Sequence, residues 1–167
     1  MVNFSKPLVT AATGYAPAAG SALVACGDYR LMAIGEKHKI GLHELPNSIV
    51  IPRLMTVLFQ HWIGPSKAME YILKGKLMSA EEAQVCGLVN EALEVEKILP
   101  KAEKMMLKLI DIHPPIFAKT KSFLKDELRV KMNIDLKVLE KEMLEDFTDM
   151  AYMEKIMGFV ETLKRRK

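Results

Sequence analysis

Hydrophobic positions change rhythm along this chain and divide it into two unequal halves. Behind Pro7, Leu8-Val9-Thr10-Ala11-Ala12 forms an apolar, β-branched run, the pattern of a short buried strand. Gly14 and Pro17 punctuate residues 13–17 as a turn. Residues 18–26 are nearly all small and predict a short helix whose backbone can approach a neighbour closely. Residues 28–33 predict a second strand, and Ile40-Gly41-Leu42 a further extended piece after a turn at 35–39. Pro46-Asn47-Ser48 reads as a loop. Pro52 suits the first turn of a helix running to about Trp62, broken by Gly64 and Pro65. Ser66 is positioned to cap the next helix, which runs through Leu73 and stops at Gly75.

Ser79-Ala80-Glu81-Glu82 has the capping-box form, so a helix is expected from there to Cys86, ended by Gly87. Residues 88–93 predict a last strand. From Val95 onward the period is helical almost throughout. Ile98, Ala102, Met105, Met106 and Leu109 fall near one face, Pro114-Pro115 opens a second helix, and Asn133 is placed to cap a third. Phe159 and Val160 belong to the final helix. The expected organisation is α/β over residues 1–94 and a helical region, suited to oligomerisation, over 95–167. The strands are too few and short for an independent sheet, so the strand at 8–12 needs further partners.

Composition adds mostly exclusions. The 167 residues carry 24 Lys and Arg against 21 Asp and Glu, net +3, which makes no case for nucleic acid. The basic end, Lys164 to Lys167, reads as a solvated tail. Half the residues are hydrophobic and twelve are Met, which reads as adaptable core filling. No apolar run reaches membrane-span length. Cys26 and Cys86 lack metal or redox spacing and read as reduced thiols of a cytoplasmic protein. His38, His43 and His61 fit no metal-site spacing, so no metal is expected.

Three blocks resemble the crotonase superfamily, the enoyl-CoA hydratase/isomerase family. Residues 6–30, from Lys6-Pro7 through Ala18-Ala19-Gly20 to Cys26-Gly27-Asp28-Tyr29-Arg30, resemble its strand, glycine turn, helix and second strand. Ile40-Gly41-Leu42-His43-Glu44-Leu45 resembles the GLNE segment of its Δ3-Δ2 isomerase-type members. Residues 64–75 and 78–89 resemble its most specific signature, which ends in Gly-Leu-Val. Together they span essentially the whole chain. The resemblance implies a ClpP/crotonase spiral fold, here N-terminally truncated, because members have a long portion before the Lys-Pro strand. It also implies an acyl-CoA substrate, no separate cofactor, and a homo-oligomer, trimer or hexamer.

The resemblance assigns roles to particular residues. Crotonase chemistry holds a thioester enolate with two main-chain N–H groups while a carboxylate moves a proton. Glu44 matches the catalytic glutamate, and Ala19 sits where one oxyanion amide comes from. Ala18 and Gly20 flank it, with Ala18-Ala19-Gly20 standing for the usual three glycines. His43 replaces the usual Asn. The second glutamate of hydratases falls at Ala22, which argues for a double-bond shift rather than hydration. Phe159, and Lys164 near the position of a CoA-binding lysine, are the CoA candidates on the last helix. By residue type alone, Glu44 reads as a surface-loop acid and Phe159 as core packing.

Overall fold

The computed structural model describes residues 1–164; Arg165, Arg166 and Lys167 of the basic tail lie outside the described residues. In chain order the first elements are β1 (Val9–Ala12), β2 (Ala16–Pro17), α1 (Ala19–Ala25), β3 (Tyr29–Ala33) and β4 (Ile40–Gly41). A 3₁₀ turn at Leu45–Asn47 precedes α2 (Arg53–Ile63), α3 (Pro65–Lys74), α4 (Ala80–Val85) and β5 (Glu91–Leu93). The remainder is helical: α5 (Val95–Ile110), α6 (Pro114–Leu124), α7 (Asp126–Met132), α8 (Leu136–Thr148) and α9 (Met150–Lys164).

Two small parallel sheets result. One has the order β1-β3-β5; the other pairs β2 with β4. In the first, Val9 lies opposite Tyr29 and Leu31 opposite Glu91. Parallel strands need crossovers, and α1 supplies the one between β1 and β3. The central strand β3 is buried on both faces, with Leu31, Met32 and Ala33 fully inaccessible. Successive side chains alternate. Leu31 and Ala33 pack with Ile98 of α5, whereas Met32 joins a core with Val24, Leu58 and Phe59. Each such large apolar side chain contributes about 1.5–3 kcal/mol on burial.

Most predicted elements form near where the pattern puts them, with several displacements: Ala16–Pro17 of the expected turn pairs as β2, and the last strand is only Glu91–Leu93. Pro65 itself is the first residue of α3, behind Gly64 at φ 76°, so Ser66 lies inside the helix and does not cap it. Asn133 ends α7, and the Asp135 side chain accepts from the Lys137 N–H to start α8. The segment 45–47 is a 3₁₀ turn, with Pro46 supplying the fixed φ that such a turn uses. No helix among the described residues is long and apolar enough to cross a membrane.

Candidate active site

The candidate site forms where β4, α1 and the end of α3 converge. Ser21 Oγ accepts from the Gly41 N–H at 2.7 Å and lies 2.6 Å from Ala16 O and 3.0 Å from Gly41 O. One hydroxyl has one proton, so it donates to one of these carbonyls at a time. The Ala18 N–H donates to Gly41 O at 2.8 Å. These bonds tie the opening of α1 to the strand that leads, three residues later, into Glu44. Gly41 is required by close approach: a Cβ there would sit 2.3 Å from Lys76 O.

The Glu44 turn is held from its far side as well. Gly75, at φ 56°, ends α3 in the left-handed conformation. A Cβ at Gly75 would meet Pro46 Cγ at 2.6 Å. The Asn47 side-chain amide donates to His43 O at 2.7 Å. From α9, Tyr152 Oη accepts the Val50 N–H at 3.2 Å. On this scaffold Glu44 is half-buried, yet its Oε2 is sealed from solvent and has no hydrogen-bond partner among the described residues. His43 Nδ1 is in the same condition. A buried oxygen without a donor is costly in a folded chain and calls for a partner from outside it, a water or a ligand.

Ala18 precedes α1 at φ 54°, ψ −122°, a conformation that suits glycine. Ala19 then opens the helix on its exposed side, and Gly20 follows half-buried. The first N–H groups of a helix have no carbonyl one turn earlier, and Ala22 is the first to donate back, to Ala18 O at 3.2 Å. Ala22 packs against the main core, so its methyl fills space where a second carboxylate is absent. Phe159 is half-buried on α9, and Lys164, exposed at its last described residue, has no ion pair among the described residues. His38 Nδ1 lies 3.2 Å from Ala33 O, and among the described residues no three potential ligands cluster to hold a metal.

A large apolar groove lies elsewhere. It measures about 550 Å³, runs between residues 4–7 and the α5–α6 junction, and contains neither carboxylate nor imidazole. Sequence reasoning missed Ser21, the hydroxyl that clamps the site. Its signal was a lone polar residue inside a helix of Ala, Gly, Leu and Val.

This framework is the crotonase fold. The human mitochondrial Δ3-Δ2-enoyl-CoA isomerase superposes with a TM-score of 0.93 over 99% of this chain and 64% of that chain, at 21% identity. The Mycobacterium tuberculosis probable enoyl-CoA hydratase EchA3 gives 0.76 over 87% of this chain and 62% of that chain, at 24% identity. The model of the enoyl-CoA hydratase/isomerase family matches residues 1–166, and the chain belongs to that family. The mouse mitochondrial enoyl-CoA delta isomerase 1 is 30% identical over 165 residues, which is 96% of this chain and 55% of that protein. A probable mitochondrial enoyl-CoA hydratase of Dictyostelium discoideum is 34% identical over 109 residues, 65% of this chain and 39% of that protein. The chain thus spans about half the length of the curated relatives it matches.

Proposed function

We propose that this chain binds an acyl-CoA thioester and moves a proton on it with Glu44, shifting a carbon–carbon double bond through an enolate. The observation that carries this reading is the sealed, unpartnered Oε2 of Glu44 on a turn bonded to the opening of α1. A carboxylate oxygen shielded from solvent with a free lone pair is a competent general base. The Ala19 N–H at the start of α1 supplies one donor for the enolate oxygen. Ala18 and Gly20 shape that turn, and His43 lines the approach. A single carboxylate can take a proton from one carbon and return it to another. Ala22 leaves no second carboxylate to hold a water, which favours isomerisation over hydration. The thioester is the substrate and no separate cofactor enters. Phe159 and Lys164 are assigned to the CoA portion.

The test is Glu44→Gln in an enoyl-CoA isomerase assay. The expected loss in kcat is about 10²–10⁴-fold with little change in KM. Full activity in the variant ends the proposal. A second reading, a family module that acts only through association, is favoured by Ala18, which puts a methyl where the turn suits glycine. That reading expects no heat of binding when an acyl-CoA is titrated into the protein.

A further inference from the structure

At the other end of α1 lies a group of buried charges that do not balance. Asp28, just before β3, accepts the Leu8 N–H at 2.8 Å and a proton of Lys121 Nζ at 2.6 Å on the same Oδ2. Lys125 Nζ lies 2.6 Å from its Oδ1, at an angle that makes this a charge contact rather than a hydrogen bond. The two lysine side chains are only 8% and 7% exposed. A third cation, Arg30, is 2% exposed. Its guanidinium lies 3.4 Å from the centroid of the Trp62 ring and donates to Leu88 O, Gly27 O and Gly87 O. Burial pulls the Arg30 pKa down to about 10, still charged at neutral pH. Three buried cations therefore face one carboxylate, and neither lysine has another ion pair among the described residues.

One lysine would suffice to neutralise Asp28. The second leaves positive charge inside the protein, which is unfavourable unless another anion meets it. Next to this surplus is a cavity of about 360 Å³. Its polar lining is Lys121, Lys125 and Thr120 together with Asp28, whose charge Lys121 already meets, and its apolar wall is Trp62, Phe117 and Leu124. Trp62 is fixed there by its Nε1–H, which donates to Ala25 O at 2.6 Å. His61 at the rim feels the same field: burial lowers its pKa, and Lys125, Arg30 and Lys131 push in the same direction against Glu127. Each lysine already makes a main-chain contact, Lys121 to Lys6 O at 2.8 Å and Lys125 to Cys26 O at 3.4 Å. An ammonium has three donors, so each lysine retains at least one for a ligand.

We infer that this cavity is a binding site for a small organic anion, a carboxylate head on the two lysines with a flat apolar body against Trp62. It is separate from the Glu44 turn and stands whether or not that turn is catalytic.

Trp62 is the only tryptophan and so reports directly. The full-length chain is titrated with 4-nitrobenzoate while Trp62 emission is followed. Uncharged 4-nitrobenzamide, of the same shape, is the comparison. Saturable quenching by the carboxylate is expected, with the amide at least about tenfold weaker, as a lost charged hydrogen bond implies. Lys125→Met keeps the Asp28–Lys121 pair and should weaken the carboxylate by about tenfold. Thr120→Glu supplies the balancing charge within the protein, so it should abolish quenching and raise the thermal midpoint. Equal quenching by amide and carboxylate overturns the site. So does a folded Lys125→Met that binds like the parent. If Lys125→Met does not fold, Thr120→Glu decides: unchanged quenching and midpoint reject the inference.

Discussion

Ala18 carries more conformational strain than its small side chain suggests. At φ 54° its Cβ crowds the backbone, a cost of about 1–3 kcal/mol for a residue other than glycine. The Ala18 N–H bond to Gly41 O and the Ser21 clamp hold it there. Ala18→Gly relieves the strain but loosens the unfolded chain, and the net is an expected gain of about 1 kcal/mol in urea denaturation. Equal or lower stability would show that the turn is relaxed with alanine in place. The same turn presents the Ala19 N–H, so the substitution should leave that donor available.

The short elements owe their ends to local chemistry. In α4 the Ser79 hydroxyl accepts the Glu82 N–H at 3.2 Å, and the Glu82 carboxylate accepts the Ser79 N–H at 2.9 Å. Ser79→Ala is expected to cost about 1 kcal/mol, read from the denaturation midpoint. The Lys76 ammonium first, then the Ser79 N–H, hold the Glu82 carboxyl below its usual 4.5. Its folded pKa is depressed, so its contribution is present above 4.5 and fades as pH falls below that value. The Ser79→Ala deficit measured near neutral pH should therefore be retained in acid, where the Glu82 half of the box is lost separately in both proteins. This box was legible in the sequence because both halves sit within four residues, and Gly75 was legible as a stop. Ser66 and Asn133 misled because a proline at the first helical position and an aspartate two residues on compete for the same task. Leu88 to Asn90 looked like strand because buried loop and buried strand share an apolar pattern; only Glu91–Leu93 finds a partner. Ser21 showed only as a lone polar residue in an apolar helix, and the partners of Ser21 and of the Asp28–Lys121–Lys125 group were not legible. Their contacts join residues far apart in the chain, and no local pattern encodes them.

At the scale of the molecule, the helices after β5 are not an appendage. Through Ile98, α5 closes one face of the β1-β3-β5 sheet, and Lys121 and Lys125 brace Asp28. The outer side of this region is apolar: Ile116, Phe123 and Val130 are each more than 60% exposed. β1 is an end strand of its sheet among the described residues. Exposed apolar faces and open strand edges both favour association. We expect a homo-oligomer, trimer or hexamer, by light scattering at two concentrations, and a monomer at both would remove the expectation.

The reach of Lys121 back to Lys6 O and Asp28 has a consequence for biosynthesis. A ribosome makes the chain from its N-terminus, so the carboxylate of Asp28 emerges long before its counter-ions do. Until α6 has been synthesised, the first strands must wait with that acid hydrated. Long-range closure of this kind slows folding and leaves sticky strands in the open meanwhile.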